Sequence, residues 1–342
     1  MKKSFASLVF SLYFISLAVA NASPGQWTTH GPSGKAIFAL AVDPSNPKIV
    51  YAAGDGGIFK STDEGTTWTF LPVGSPDIWT VRLLVIDPQY PQCLYARGGS
   101  YIGGGGLFKS TDGGETWSLL PAPARLQSLV IDPQHLTVLY GGVSSAGFIK
   151  SVDGGVKWTV IGLEPGVTSW NLDVSALVLD PTDAAILYAG TLDGGVLKST
   201  DAGTTWVSIL WAGDNQPMED PRDLRIYSIN AIAAAPTRPT SLYVSTQGRG
   251  ILKSTDGGTS WQELDRNLLN VLTVTIDPTA PAVLYAAAYD SVFMSTDSGE
   301  YWQNLQFPSV TAPSINAITV NPAGTALYVG TNNGVSVYRL RE

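Results

Sequence analysis

Carboxylates are the side chains of this chain with the clearest capacity for chemistry. Hydrolysis of a glycosidic bond uses two of them about 5–10 Å apart, one as proton donor and one as nucleophile or base. Asp173, Glu219 and Asp223 lie in irregular segments where such a pair could form. The chain has many acidic residues and no pair of them has a diagnostic spacing. Hydrolysis is therefore an alternative function, and the sequence does not assign its catalytic pair.

A second group of side chains suits binding. Trp79, Trp170 and Trp211 stand outside any repeated pattern, and an acidic, arginine-bearing segment follows Trp211. Exposed aromatic rings can stack on sugars or anchor a protein partner, although each ring could instead pack onto its own loop. The predicted binding residues are Trp79, Arg82, Trp170, Trp211, Asp214, Asp220, Arg222, Arg225, Tyr227, Arg249 and Tyr289.

Metal, cofactor and phosphate chemistry have little support. The only histidines are His30 and His135, and we find no acidic or cysteine residues at a metal-ligand spacing around them. The glycine run 103–106 is not followed by the Gly-Lys-Ser/Thr of a phosphate-binding loop. We therefore predict no metal and no cofactor.

The elements that must position these residues are defined by a repeat. Six segments read Ser-x-Asp-x-Gly-x-x-Trp, and we call them boxes 1 to 6. Their tryptophans recur every 41 to 55 residues, and such a period with short strands and Gly-rich turns is typical of a β-propeller. Six copies cannot form one active site, so a structural role is predicted for their aspartates, Asp63, Asp112, Asp153, Asp201, Asp256 and Asp297.

Two further positions of the repeat, which we call columns, each occur seven times along the chain. An Asp-Pro-like pair ends one strand of each unit, and a tyrosine lies in the next strand of all seven. The seventh unit ends in a third strand near 334–338 with no box, whereas Trp27 begins a strand that no unit precedes. We predict an all-β fold: a seven-bladed β-propeller of four-stranded antiparallel blades, with the last blade closed by the N-terminal strand.

A family resemblance rests on the box motif. The run Phe108-Lys109-Ser110-Thr111-Asp112-Gly113-Gly114-Glu115-Thr116-Trp117 resembles the BNR or Asp-box repeat found in bacterial sialidases, xyloglucanases, sortilin-type receptors and photosystem II stability/assembly factors. The single-propeller layout most resembles the last group. The resemblance implies that ligands bind opposite the boxes, and it implies an assembly or stability role. Sialidases carry an early arginine motif, where this chain has Lys35-Ala36-Ile37-Phe38.

One column of the inner strands is largely polar and is predicted to line the mouth of the central channel. Its side chains could hold a polar ligand or ordered water. Its members, each five residues before an Asp-Pro-like position, are Phe38, Arg82, Gln127, Ser175, Asn230, Leu272 and Asn316.

The N-terminus and the net charge bear on location and partners. Residues 1–20 read as a signal peptide with a basic start, an apolar run and cleavage after Ala20 or Ala22, and residues 21–342 as the propeller. A net charge of −8 argues against nucleic acid. The sequence predicts a secreted or periplasmic monomer without stable membrane insertion after cleavage.

Two functional hypotheses remain open. In the first, the chain is an exported, non-catalytic scaffold that binds a protein or glycan through the face opposite the boxes. In the second, it is a secreted glycoside hydrolase with a carboxylate pair at the channel mouth. The sequence favours the first.

Overall fold

The computed structural model describes residues 25–74, 78–99, 105–123, 125–162, 172–192, 195–211, 228–265, 268, 270–308 and 314–341. Within these residues the chain is all-β, with 28 strands in seven four-stranded antiparallel sheets, the blades of a propeller. The predicted fold class is confirmed. No helix of the described segments has the length and apolarity needed to cross a bilayer.

Six blades use four consecutive strands each, ordered from the channel outward. Blades 1 to 3 contain β2 (Ile37–Val42), β3 (Val50–Gly54), β4 (Gly57–Ser61), β5 (Thr69–Leu71); β6 (Thr80–Ile86), β7 (Leu94–Gly99), β8 (Gly106–Ser110), β9 (Ser118–Leu120); β10 (Leu126–Ile131), β11 (Leu139–Val143), β12 (Gly147–Ser151) and β13 (Thr159–Ile161). Blades 4 to 6 contain β14 (Val174–Asp180), β15 (Asp183–Thr191), β16 (Gly195–Ser199), β17 (Val207–Trp211); β18 (Ile229–Ala235), β19 (Ser241–Thr246), β20 (Gly250–Ser254), β21 (Gln262–Glu263); β22 (Thr273–Asp277), β23 (Ala280–Ala287), β24 (Val292–Ser295) and β25 (Gln303–Asn304).

Blade 7 joins the two ends of the described chain. It consists of β26 (Ile315–Val320), β27 (Ala326–Thr331), β28 (Gly334–Arg339) and, as its outermost strand, β1 (Trp27–Gly31). Strand β1 runs antiparallel to β28, with Trp27 opposite Tyr338 and Thr28 opposite Val337. The predicted closure of the last blade by the N-terminal strand is confirmed.

The hydrophobic core is divided into seven layers, each between two neighbouring blades. The layer between blades 1 and 2, for example, packs Ile58 and Leu71 against Leu84 and Phe108. The tyrosine column is buried within these layers. Burial raises the pKa of Tyr51 and of Tyr140 to about 12, so both stay protonated at neutral pH.

The loops divide between the two ends of the blades. The turns between first and second strands and the six boxes lie at one end, which we call the box face. The hairpins between second and third strands and the links between blades lie at the other end, the hairpin face.

Each box is a closed hydrogen-bonded turn. In box 2, Ser110 Oγ accepts from the Gly114 amide at 2.9 Å and donates to Asp112 Oδ1 at 2.8 Å. Asp112 also accepts from the Thr116 amide at 2.9 Å and from its hydroxyl at 2.6 Å. The Trp117 indole donates to Gly114 O at 2.9 Å. The carboxylate is thus committed to holding its own turn, as a structural role requires.

The boxes are also tied to the preceding blade. Lys60 Nζ of blade 1 donates to Gly113 O of box 2 at 3.1 Å, and the Tyr51 hydroxyl donates to the same oxygen at 3.1 Å. Blade 6 precedes the blade without a box and carries Met294 at the lysine position. Other contacts of this kind join Lys150 to Ala202 O, Lys198 to Gly257 O, Lys253 to Glu300 and Arg339 to Glu64.

Candidate functional site

The inner strand of nearly every blade contains a bulge close to the hairpin face. In six of the seven inner strands the pairing register shifts, leaving one residue outside the ladder. The bulge takes these residues out of the apolar alternation of the strand, which explains why all but Phe38 are polar. They belong to the column predicted to line the channel mouth: Phe38, Arg82, Gln127, Ser175, Asn230 and Asn316.

Three of the bulged side chains bind the next blade. Each donates to the carbonyl of the residue that immediately precedes the same column in the neighbouring inner strand. The pairs are Ser175 Oγ to Ile229 O (2.6 Å), Asn230 Nδ2 to Val271 O (2.8 Å) and Asn316 Nδ2 to Ile37 O (3.1 Å). These contacts hold adjacent blades together. The sequence had suggested a polar ligand or ordered water as the partner of these side chains, and not the next blade.

Arg82 and Phe38 form a different contact between blades 1 and 2. The guanidinium carbon of Arg82 lies 4.1 Å from the centroid of the Phe38 ring, within cation–π range. Arg82 is exposed to solvent. A guanidinium stacked in this way keeps its in-plane N–H groups directed sideways, where they can bind a carboxylate or phosphate bidentately.

A second arginine lies near the first. Arg97 occupies a position on the second strand that is Ala, Gly or Ser in the other six blades. In blade 4 the equivalent residue is Gly190, where an added Cβ would lie 2.3 Å from an atom of Ile229 in the next blade. Side chains at this position of the second strand therefore face the neighbouring blade closely. Arg97 is half-buried, and its pKa is lowered chiefly by burial and further by the positive charge of Arg82. Two guanidinium groups therefore share one part of a chain whose net charge is negative.

Trp79 belongs to the same part of the hairpin face. Its side chain is 58% exposed. Its backbone amide donates to Gly99 O at 3.0 Å and its carbonyl accepts from the Gly56 amide at 2.8 Å, so it is anchored to the hairpins of blades 1 and 2. We call Phe38, Trp79, Arg82 and Arg97 the cationic–aromatic cluster.

Asp173, one of the three predicted catalytic carboxylates, is engaged with the hairpin of blade 3. Its Oδ1 accepts from Ser144 Oγ and from the Ser145 amide, each at 2.6 Å. These hydrogen bonds, the one from Ser144 foremost, lower the pKa of Asp173, and Arg125 adds to the effect. The group is ionised at neutral pH and suits a nucleophile or base better than a proton donor.

The remaining predicted site residues are spread around the ring or lie outside the described residues. Arg249 and the 62% exposed Tyr289 belong to the hairpins of blades 5 and 6, on the hairpin face. Trp211 ends strand β17, and its side chain is not among the described ones. Eight residues lie outside the described segments: Trp170, Asp214, Glu219, Asp220, Arg222, Asp223, Arg225 and Tyr227.

The box face has a cavity that sequence reasoning missed. It measures about 310 Å³ and lies between blades 4 and 5, lined among others by Asp180, Asp183, Lys198, Arg238 and Thr240. A signal was present in the sequence, because the Asp-Pro column has alanine, Ala235, in blade 5 alone. Among the described residues no group of three or more His, Cys, Asp or Glu is arranged to hold a metal ion.

Residues 108–119 match the family model of the BNR/Asp-box repeat. Because the same motif occurs in six blades of a seven-bladed ring, the suspected resemblance is confirmed. The chain is a β-propeller that carries the BNR/Asp-box repeat. A comparison with curated protein sequences found no match.

Solved structures share the fold of this BNR/Asp-box propeller. It is similar to the GH74 xyloglucanase from Xanthomonas campestris (TM-score 0.71, 19% identity) and to the GH74 enzyme of Niastella koreensis (0.72, 20%), covering 92% of this chain and 54% of each enzyme. It is also similar to YCF48 from Cyanidioschyzon merolae (0.67, 16%), covering 92% of this chain and 98% of that one. The chain therefore spans about half the length of the GH74 enzymes and nearly all of YCF48.

A further similar structure is described as YCF48 bound to D1 peptide (TM-score 0.67, 15% identity), covering 94% of this chain and 97% of that one. At such identities these likenesses concern the fold alone.

Proposed function

We propose that this propeller is an exported, non-catalytic scaffold that binds an anionic segment of a protein or glycan partner through its hairpin face. The observation that carries the proposal is the cationic–aromatic cluster. Arg82 is stacked on Phe38, Arg97 lies near enough to feel its charge, and Trp79 is exposed on the same face. An exposed arginine, a half-buried arginine and an exposed indole on the same face are residue types that dominate binding energy at protein interfaces.

The charge of the chain supports a partner of opposite sign to this cluster. The net charge is −8, so two neighbouring arginines are a local reversal of the prevailing sign. Electrostatic complementarity of this kind steers association and rejects wrong partners. Fold similarity to the structure described as YCF48 bound to D1 peptide is consistent with peptide capture and with an assembly or stability role.

Export is part of the proposal and rests on the sequence. The basic start, apolar run and small-residue cleavage site within residues 1–20 support a secreted or periplasmic location. N-terminal sequencing of the mature protein tests it, with a start at Asn21 or Ser23 expected. Retention of Met1 or of the apolar run in the exported fraction would contradict cleavage.

Substitutions on the two faces test the binding proposal. R82Q and W79A are expected to weaken partner capture about tenfold each, since each removes a charge-assisted or aromatic contact. Y301A is the matched control, because Tyr301 is 71% exposed and belongs to box 6 on the opposite face. The measurement is partner recovery by the exported protein, followed by titration of the purified partner. Equal loss in Y301A, or no loss in either cluster variant, would reject the hairpin-face assignment.

A glycoside hydrolase is the second candidate, and fold similarity to two GH74 enzymes favours it. Asp173 would act as nucleophile or base, because its lowered pKa keeps it ionised. The proton donor would be Glu219 or Asp223.

A panel of soluble polysaccharides tests this alternative against scaffolding. Scaffolding predicts no turnover, with partner capture intact in D173N. Turnover that D173N lowers at least about a hundredfold would establish the hydrolase instead.

A further inference from the structure

The cavity between blades 4 and 5 arises where the repeat changes its hydrogen bonding. In blades 1 and 2 the column tyrosine donates to a glycine carbonyl of the next box, as Tyr51 does to Gly113 O. In blade 4 the Tyr188 hydroxyl donates instead to Asp180 Oδ2 at 3.3 Å. The same oxygen accepts from Thr240 Oγ1 of blade 5 at 2.5 Å. Asp180 thus serves two blades, and the neighbouring turn contributes Ala235 where other blades have Asp or Asn.

Most charged groups of the cavity are already committed to the fold. Lys198 Nζ donates to Gly257 O at 2.9 Å. The Asp256 carboxylate accepts from Ser260 through both its amide and its hydroxyl. With Asp180 bound as described, these three groups hold the cavity wall.

Two groups of opposite charge retain unused hydrogen-bonding capacity. Asp183 and Arg238 occupy the same position of the turn in consecutive blades, three residues after the Asp-Pro column. Asp183 Oδ1 accepts from the Ala185 amide at 2.9 Å, and Arg238 Nη2 makes one long contact, 3.4 Å, to Thr182 O. Neither forms an ion pair with the other or with any other residue that the structure describes.

We propose that this cavity binds a small zwitterion, an amino acid or short peptide with one carboxylate and one ammonium group. Arg238 would bind the carboxylate and Asp183 the ammonium, while Ile186 and Pro239 in the wall contact the apolar part. A volume of about 310 Å³ is sufficient for a ligand of this size. Two exposed charges of opposite sign without an ion-pair partner favour this ligand over a neutral sugar, which would leave both without a counter-charge.

Calorimetric titration of the full mature chain with small probes tests the proposal. Glycylglycine is the zwitterion, acetate and methylammonium represent its two ends, and glucose is the neutral polyol. Glycylglycine is expected to bind at least about tenfold more tightly than each of the other three, because only it engages both charges. D183N and R238Q, which keep the side-chain shapes, are each expected to weaken it about tenfold.

The matched control is Y90A. Tyr90 occupies the same turn position in blade 2, is 65% exposed and lies outside the cavity. It should leave the affinity for glycylglycine unchanged, and near-ultraviolet circular dichroism checks that all variants are folded. No binding of glycylglycine would overturn the proposal. Acetate or glucose binding as tightly as glycylglycine would also overturn it. So would an affinity of D183N for glycylglycine equal to that of the unmodified chain.

Discussion

At the residue scale, each box aspartate stabilises its turn by accepting hydrogen bonds as a carboxylate, so this stabilisation depends on pH. Three hydrogen bonds converge on the Asp112 carboxylate, from the Ser110 hydroxyl and from the hydroxyl and amide of Thr116, and the two from Thr116 are the main cause that lowers its pKa to about 2. The pKa of Asp256 is lowered to about 2 in the same way by Ser260. The pKa values of the other four box aspartates, Asp63, Asp153, Asp201 and Asp297, are also lowered.

The sign of this shift gives a pH prediction. A carboxyl whose pKa is lower in the folded than in the unfolded chain stabilises the fold above its unfolded pKa of about 4. That contribution is lost as the pH falls to about 2. D112N should therefore lower the Tm by about 2 °C at pH 7, with the difference from the unmodified chain shrinking between pH 4 and 2.

Thermal unfolding followed at several pH values measures this difference. E115Q is the control, because Glu115 is an exposed acid of the same box without these hydrogen bonds. A D112N deficit that stayed constant down to pH 2 would show that its carboxylate is not the source.

At the element scale, a box is completed by the blade before it. Lys60 reaches Gly113 O, and its Nζ lies 5.4 Å from the centroid of the Tyr51 ring. Where no box follows, the lysine is replaced by Met294. At this boundary Arg341 connects the turn after β22 in blade 6 with the turn after β26 in blade 7. It donates to Asp277 Oδ2 at 3.1 Å and to Gly324 O at 2.7 Å.

K60M should remove this connection at one blade boundary. We expect a loss of about 1 kcal/mol in the free energy of unfolding, since a carbonyl loses one of its donors. M294L, at the equivalent position without a following box, should change it by less than about 0.5 kcal/mol. Urea unfolding of both variants measures the difference, and equal effects would mean that the lysine acts only through its aliphatic stem.

The repeated elements also show which parts of the structure could be predicted from the sequence alone. The Asp-Pro and tyrosine columns predicted the blades because local turn chemistry and burial repeat in each unit. The polarity of the column of Asn230 and Asn316 was visible in the sequence, but its hydrogen bonds between blades were not foreseen. A bulge and an interblade hydrogen bond depend on how two sheets meet, which no single strand encodes. The cavity beside Arg238 was overlooked for the same reason, since it forms between two turns that are distant in sequence.

At the scale of the whole molecule, one strand secures the ring. Trp27 of β1 donates its indole N–H to Leu305 O at 2.9 Å and meets the Phe307 ring edge-on at 4.7 Å between centroids. It also packs against Tyr338 at 4.9 Å. Strand β1 therefore binds blade 6 as well as completing blade 7.

W27A should loosen this joint more than any box variant. We expect a loss of about 2–4 kcal/mol in the free energy of unfolding, because a half-buried indole and its hydrogen bond are removed together. W27F, which keeps part of the ring contact, should lose about half as much. Denaturant unfolding and light scattering measure the outcome. A W27A protein as stable and as monodisperse as the unmodified chain would show that β1 does not secure the ring.

The pairing of β1 with β28 also fixes an order of events during biosynthesis. Thr28 and Val337 are 309 positions apart, so β1 pairs with a strand that is synthesised much later. At about 5–20 residues per second, β1 waits roughly 15 to 60 s for its partner. The ring therefore cannot close before synthesis has passed Val337, and β1 stays without its partner strand until then.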